Sequence, residues 1–317
     1  MAMASLQSDV ALLGIQELHY RVADPELCVR FFSDFGLQLV EKSGDYARFE
    51  LPEGSNVSLT RATGAALPEV IWGVDSEESL DIVRRVLEKR PSRQEKDGTL
   101  RTRDPCGLDI GFRVFRRKRL AAVNSVENTL SVVQRWNRHR EWFRSAQPKL
   151  IHHVVYGVPD VDGAVAFYRA LGFRITDVAK GNGVFMRCDG RHDHHNIFLQ
   201  ASAQPAWRHV SFGVETIDEL MIGANRMQRL QWSSDLGIGR HRISSTVFYY
   251  LNCPAGGMAE YSADTDCLTD EWRPRLWAPK FGNFHWVGRL PEALREEPEW
   301  DVQPLPEPIP PFSELSR

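Results

Sequence analysis

The sequence has no run of about 18 apolar residues, which is the length that a membrane-spanning helix needs. Its start lacks the basic region and continuous apolar core of a signal peptide. The 5 cysteines are widely spaced, odd in number and never in a CxxC pair. This usage is typical of reduced thiols rather than of a disulfide framework or a zinc site. We therefore expect a cytoplasmic protein without a membrane partner.

The chain also lacks a large excess of positive or negative residues. The formal net charge is −3, and no basic stripe with interleaved aromatic residues runs along the chain. Nucleic acid is therefore not an expected partner. Hydrophobic residues make up 42% and charged residues 26% of the 317 positions, which is the balance of a globular protein with enough apolar material for one or two cores.

What the chain does contain is an internal repeat. The segment ELHYRVADPELCVRFFSDFGLQL, from Glu17, aligns without gaps on HVVYGVPDVDGAVAFYRALGFRI, from His153. In both, an alternating apolar stretch predicts a strand, an aspartate can cap a helix, and a glycine ends the helix. A second pair, EVIWGVDSEESL from Glu69 and HVSFGVETIDEL from His209, repeats the pattern. The sequence therefore predicts four copies of one strand–helix–strands unit.

Four such units predict an α+β fold of four βαβββ modules. Because one module alone leaves the concave face of its sheet exposed, the modules must pair, and each pair curls a mixed sheet around a cup. Sites in such folds lie inside the cup, on inward-facing strand residues.

Histidines indicate which cup carries chemistry, because eight of the 10 follow residue 150. At three repeat-equivalent positions the second half has two imidazoles and a carboxylate, whereas the first half has no nitrogen ligand. The residues are His153, His209 and Glu260, opposite Glu17, Glu69 and Gly111. Two histidines and one carboxylate on one face of a metal leave open positions for substrate and O2 on Fe(II). A lone strand histidine is more often a core residue, so the argument rests on the combination.

These segments resemble the vicinal-oxygen-chelate (glyoxalase/bleomycin resistance/dioxygenase) superfamily, and within it the two-domain type I extradiol dioxygenases. The resemblance covers roughly Leu13 to Pro291. Its motifs are HHVVYGVPD from His152, DHHNIFL from Asp193, RHVSFGV from Arg208, GRH from Gly239, FYY from Phe248 and PAGGMAEY from Pro254. The resemblance implies an oxidoreductase of aromatic hydrocarbon catabolism that cleaves a catechol-type diol with O2. It also implies a homo-oligomer and Fe²⁺ as the cofactor, with Mn²⁺ as the alternative in the same ligands.

The resemblance assigns roles to individual residues. His153, His209 and Glu260 match the iron ligands, and His153 is preferred to His152 because its distance to the VPD turn fits and strand neighbours face opposite ways.

Three further residues match catalytic positions of the family. His195 matches its acid–base histidine, Tyr250 a tyrosine that hydrogen-bonds the deprotonated substrate hydroxyl, and His241 a histidine aimed at the substrate oxygens. On sequence alone these residues could instead be a hairpin tip, a strand aromatic and an exposed loop histidine. Residues expected to line or support the pocket are His194, His152, Ile243, Ser244 and His285.

One departure leaves the substrate open. After GRH, biphenyl-diol enzymes of the family tend to carry a polar Asn-Asp-His stretch, whereas this chain continues Arg242-Ile243-Ser244-Ser245. Monocyclic catechols, bicyclic diols and trihydroxylated rings all remain candidates. Two other functions also remain: another metalloenzyme of the superfamily, glyoxalase-like or hydroxyphenylpyruvate-type, and a non-enzymatic protein that binds an aromatic compound.

The predicted domain boundaries follow from the repeats. Residues 1–125 would form an N-terminal vicinal-oxygen-chelate domain without metal, and 126–149 a helical connecting segment. Residues 150–290 would form the C-terminal metal-binding domain, followed by a tail at 291–317.

Overall fold

The computed structural model describes residues 10–64, 66–121, 127–140, 142–188 and 192–317. Its first half contains two consecutive βαβββ units. The first comprises β1 (Leu12–Val22), α1 (Pro25–Asp34), β2 (Gln38–Ser43), β3 (Tyr46–Glu50) and β4 (Asn56–Arg61). The second comprises β5 (Glu69–Val74), α2 (Glu77–Val86), β6 (Ser92–Gln94), β7 (Leu100–Arg103) and β8 (Asp109–Val114).

The second half repeats this order and adds a C-terminal segment. Its first unit comprises β9 (Leu150–Val158), α3 (Val161–Ala170), β10 (Arg174–Ala179), β11 (Gly183–Arg187) and β12 (Ile197–Ala201). The other comprises β13 (Ala206–Gly213), α4 (Ile217–Arg229), β14 (Ile238–Arg240), β15 (Val247–Asn252) and β16 (Met258–Ala263). Beyond them lie β17 (Arg275–Trp277), α5 (Pro279–Asn283), β18 (Trp286–Val287), a 3-10 turn (Glu292–Leu294), β19 (Val302–Pro304) and α6 (Phe312–Leu315).

The repeat is visible in how the helices begin and end. Asp24 before α1 and Asp160 before α3 each accept a hydrogen bond from the amide three residues on, at 2.9 Å. Gly36 and Gly172 follow the same helices with φ of +102° and +100°, a conformation that strongly favours glycine. The local signals read from the sequence therefore act as predicted.

Each half forms one mixed sheet. The strand orders are β2-β3-β4-β1-β5-β8-β7-β6 and β14-β15-β16-β13-β9-β12-β11-β10. In each, the first strand runs parallel to the last strand of its own unit (β1 with β4, β9 with β12) and antiparallel to the first strand of the next (β1 with β5, β9 with β13). The predicted α+β fold of four paired βαβββ modules is confirmed.

The two halves share one hydrophobic core. Phe35, just after α1, stacks on Tyr261 of β16 with ring centroids 3.9 Å apart, and the Tyr261 hydroxyl donates to the Phe35 carbonyl at 2.7 Å. Aromatic rings bury large apolar areas, so this contact helps to hold the halves together. No helix in the described part of the chain is both long and apolar enough to span a bilayer.

The C-terminal segment extends the second sheet at both edges. β17 pairs with β10 and with β19, while β18 pairs with β14. The stretch predicted as a separate tail, 291–317, therefore contributes β19 to this sheet. The predicted boundaries remain a prediction in other respects.

The connecting segment differs from its prediction. Among its described residues, 127–140 and 142–149, there is no helix. The Asn128 side chain instead accepts hydrogen bonds from the amides of Gln134 and Arg135 at 2.9 and 2.8 Å, and Asn137 has a φ of +51°. Side chains that bind their own backbone compete with helix formation, and helix-compatible composition without a packing partner does not overcome this.

Candidate metal centre

Three polar side chains lie on three neighbouring strands of the second sheet. His153 is on β9, His209 on β13 and Glu260 on β16. The strand register pairs His153 with Ser211 and Ser211 with Glu260. His209 lies two residues before Ser211 and therefore faces the same side of the sheet. Strand pairing thus brings together residues that are far apart in the sequence.

Their spacing fits a bound cation. Nε2 of His153 lies 3.2 Å from Nε2 of His209 and 3.2 Å from Oε2 of Glu260, and His209 Nε2 is 3.4 Å from that oxygen. Ligand atoms that each lie about 2.0–2.2 Å from one ion have such separations. Glu260 is fully buried, and neither of its carboxylate oxygens has a hydrogen-bond partner among the described residues. Because a buried unpaired charge is costly, this set fits a divalent metal ion.

Burial also sets the protonation state of the two imidazoles. It lowers the pKa of His153 well below its usual value, and neighbouring histidines act in the same direction. It lowers the pKa of His209 to about 3, against the opposing effect of the Glu260 charge. Metal ligands must be unprotonated, so both histidines are in the form that binds a cation.

Tyr250 and His241 form a hydrogen-bonded pair beside the triad. Nδ1 of His241 lies 2.5 Å from the Asn283 carbonyl and must donate to it, which leaves Nε2 as the acceptor for the Tyr250 hydroxyl at 3.2 Å. Burial, together with the nearby charge of Glu260, raises the pKa of Tyr250 well above its usual value. The ring of Phe284 stacks on His241 at 5.5 Å. The segment containing α5 thus orients His241.

His195 lies on the other side of the triad. Its ring is buried, with its centroid 4.2 Å from that of His153 and 4.9 Å from that of Phe185. Burial, reinforced by the surrounding histidines, lowers the pKa of His195 well below its usual value. Its Nδ1 contacts Nδ1 of His194 at 3.1 Å. His195 is therefore part of the site's inner wall and not an exposed hairpin tip.

The lowered pKa values of these histidines predict that the stability of the metal-free protein depends on pH. Histidines of the unfolded chain take up protons below about pH 6.5, whereas His153, His195 and His209 stay neutral in the folded state. The free energy of unfolding should therefore fall as pH drops below about 6.5, by up to about 1.4 kcal/mol per pH unit for each histidine. For His209 the fall should continue to about pH 3. Urea unfolding of chelator-treated protein between about pH 7 and pH 5 measures this slope. The slope must be shallower for His209→Gln, and equal slopes would contradict the assignment.

His152 and His194 are buried outside the triad. His152 contacts Ser262 Oγ at 3.3 Å through Nδ1 and Asp193 at 3.6 Å through Nε2. His194 contacts Oδ2 of Asp177 at 3.0 Å through Nε2. The sequence analysis did not identify Asp177, although an acid directly before the apolar pair Val178-Ala179 in the strand RITDVA could have drawn attention to it.

The other three predicted pocket residues make their described contacts with residues outside the triad. Ile243 packs in a small core cluster with Ala179, Trp277 and Phe281. Ser244 has a φ of +73°, and its hydroxyl bonds Thr246 at 2.9 Å. His285 is exposed, and its neighbour Phe284 contacts His241 instead.

In the cup of the first half, ion pairs occupy the positions equivalent to His153 and His209. Glu17, equivalent to His153, pairs with Arg113 at 2.8 Å and accepts from Ser58 at 2.6 Å. Glu69, equivalent to His209, pairs with Arg101 at 2.8 Å. In the strand register Arg101 lies opposite Gly111, the position equivalent to Glu260, just as Tyr250 lies opposite Glu260. Arginines thus neutralise the acids of this cup.

Comparison with known proteins gives the same region. The sequence model of the Glyoxalase/Bleomycin resistance protein/Dioxygenase superfamily matches residues 150–261. The chain is 32% identical over 148 residues to Metapyrocatechase 2 of Cupriavidus necator, covering 46% of each protein. It is 28% identical over 144 residues to 3-methylcatechol 2,3-dioxygenase of Pseudomonas putida, covering 41% of this chain and 49% of the relative. These matches span about half the length of the curated relatives.

Solved structures resemble nearly the whole chain. The Mn(II)-bound glyoxalase from Novosphingobium aromaticivorans has a TM-score of 0.70 at 22% identity, over 86% of this chain and 90% of its own. A mutant of homoprotocatechuate 2,3-dioxygenase from Brevibacterium fuscum has a TM-score of 0.72 at 19% identity, over 87% of this chain and 79% of its own. At such identities the likeness shows the fold. Residues 150–261 thus match the model of the Glyoxalase/Bleomycin resistance protein/Dioxygenase superfamily, and nearly the whole chain has the fold of these solved structures.

Proposed function

We propose that this protein is an extradiol dioxygenase. It would insert both atoms of O2 into a catechol-type aromatic diol and cleave the ring beside the two hydroxyl groups. The observation that carries this proposal is the buried cluster of His153, His209 and Glu260, whose carboxylate has no hydrogen-bond partner among the described residues, beside the Tyr250–His241 pair. The names of the two curated relatives support the same reaction class.

We propose Fe²⁺ as the metal held by these three residues. Two histidines and one carboxylate leave open positions for a diol and O2, and a bound ion would supply Lewis-acid polarisation and a template for both reactants. Mn²⁺ is the alternative, supported by the Mn(II)-bound state of the glyoxalase from Novosphingobium aromaticivorans.

The protein's own groups would manage the protons. Since Nδ1 of His241 donates to the Asn283 carbonyl, its Nε2, which accepts from the Tyr250 hydroxyl, carries the ring's lone pair and could take a proton from a substrate hydroxyl. The Tyr250 hydroxyl would then turn from His241 to donate a hydrogen bond to the resulting oxyanion. On the opposite side the neutral His195 would take up the proton of the other substrate hydroxyl and return it to oxygen during ring opening, as a general acid–base group.

The remaining assignments are part of the same proposal. The expected partners are the aromatic diol and O2, with no nucleic acid and no membrane, in a cytoplasmic homo-oligomer of aromatic-compound catabolism. Residues 150–290 would form the catalytic domain and 1–125 a domain without metal.

The rival functions predict different results. A glyoxalase-like isomerase would act on a thiol adduct without consuming O2, and a binding protein would retain an aromatic ligand unchanged. Among the described residues the His/His/Glu cluster lies in the second half alone, and the equivalent acids of the first half, Glu17 and Glu69, are paired with arginines. This arrangement supports the dioxygenase over a site shared between the halves.

The test is oxygen uptake across a panel of catechols after anaerobic loading with Fe²⁺. We expect one O2 consumed per diol and a yellow ring-opened semialdehyde for at least one substrate. Protein without added metal is the control. No uptake with monocyclic, bicyclic or trihydroxylated substrates, or turnover of a hemithioacetal instead, would overturn the proposal. The same panel identifies the ring that the Ile243 and Ser244 wall accepts.

A further inference from the structure

A buried carboxylate stands behind the inner wall of the site. Asp177 of β10 is fully buried and accepts three hydrogen bonds. The Arg275 amide donates to Oδ1 at 2.7 Å, Nε1 of Trp277 donates to Oδ2 at 2.9 Å, and Nε2 of His194 lies 3.0 Å from Oδ2. Two of these contacts come from β17 and the third from the loop before β12, and a register shift in β10 between Ile175 and Asp177 accompanies the inward placement. The carboxylate is thus held in one position.

These contacts determine where two hydrogens sit. An ionised carboxylate can only accept, so Nε2 of His194 must carry a hydrogen. With this single ring hydrogen on Nε2, the other nitrogen of His194, Nδ1, is an acceptor. Its neighbour is Nδ1 of His195 at 3.1 Å, which must therefore be the donor. Consequently Nε2 of His195 carries a lone pair.

We propose that Asp177, acting through His194, is a positioning residue that holds His195 in the Nδ1–H tautomer with an unprotonated Nε2. This inference rests on the proposed function for its catalytic meaning and extends it to a residue outside the metal's surroundings. The arrangement parallels the carboxylate that sets the tautomer of a catalytic histidine in serine proteases, with one additional imidazole between them. The C-terminal strand β17 takes part, because both Arg275 and Trp277 bind the same carboxylate.

The wild-type protein tests the tautomer directly. Protein labelled with ¹⁵N-histidine and loaded with Zn²⁺, a diamagnetic probe, gives long-range ¹H–¹⁵N correlations that distinguish the two nitrogens of a neutral imidazole. The signals of His195 are identified by their loss in His195→Asn. We expect Nδ1 of His195 to be protonated and Nε2 to have a pyridine-like shift. The opposite tautomer in this spectrum would overturn the proposal without any variant of Asp177.

Asp177→Asn tests the chain of contacts. An amide replaces one acceptor by a donor, so His194 should present its lone pair there, and His195 should change to the Nε2–H tautomer. We expect kcat to fall about 10²-fold with KM within about threefold, because acid–base groups contribute about 10²–10⁴-fold. The matched control is Asp104→Asn, which alters another buried aspartate, one bonded to the amides of Cys106 and Leu108 in the first half. It should leave the tautomer and kcat unchanged.

The outcomes separate this inference from the proposed function. A fall in kcat without a change of tautomer, or an equal fall in Asp104→Asn, would show a merely structural role and overturn it. The predicted tautomers in a protein that cleaves no catechol would overturn the dioxygenase assignment and leave the positioning role standing.

Discussion

Glu260→Gln should abolish metal binding and ring cleavage while making the metal-free protein more stable. The carboxylate is buried with no hydrogen-bond partner among the described residues, so its negative charge destabilises the fold until a cation binds. A neutral amide of the same shape removes that cost, and we expect a gain on the order of 1–3 kcal/mol in the metal-free state. It also removes the anionic ligand, so activity should fall by about 10³-fold or more.

Metal analysis after dialysis, oxygen uptake and urea unfolding of the metal-free protein measure the three effects. Glu17→Gln is the control, because it removes a carboxylate at the position of the first cup that is equivalent to His153 and paired with Arg113. It should keep full metal content. Retained metal in Glu260→Gln would contradict the assignment of the ligand set.

His195→Asn should keep the metal and lose turnover. The side chain contacts the ring of His153 without being one of the three clustered ligands, so metal content should equal that of the wild type. We expect kcat to fall by about 10²–10⁴-fold, the range that a general acid–base group supplies, with a much smaller change in KM.

The control for this variant is His192→Asn, which alters an exposed histidine of the same loop whose Nδ1 contacts the Leu268 carbonyl. Its kcat should stay within about twofold of the wild type. If His195→Asn turned over at the rate of this control, His195 would not be the acid–base group. Loss of metal from His195→Asn would instead assign it to the metal's surroundings.

The fold could be predicted from the sequence because its signals are local and occur more than once. Asp24 and Asp160 cap helices through amides only three residues away, and Gly36 and Gly172 end them at positive φ. Such signals need no distant partner. Composition alone, by contrast, wrongly predicted a helix in the connecting segment, where Asn128 binds backbone amides and no helix forms among the described residues.

The triad could be predicted because alignment of the two halves shows which repeat-equivalent positions have metal-ligand side chains in the second half and different residues in the first. His153 and His209 stand opposite Glu17 and Glu69, and strand alternation fixes which residues share a face. This reasoning could not be applied to the C-terminal segment, because that segment has no counterpart in the first half with which to compare it. There the sequence indicated His285, whereas Phe284 contacts His241, and a shift of one residue exchanges the face that a side chain presents.

The sequence by itself thus determined the modules, their pairing and the identity of a His/His/Glu set in the second half. The tertiary structure alone decided what surrounds that set. It placed Asn283 against His241 and brought Arg275 and Trp277 to Asp177 from about a hundred residues away along the chain. The physical reason is the sequence separation over which the two kinds of interaction act. Capping and periodicity depend on bonds within a few residues, whereas the orientation of a buried imidazole depends on which polar atom the packed fold leaves within 3 Å of it.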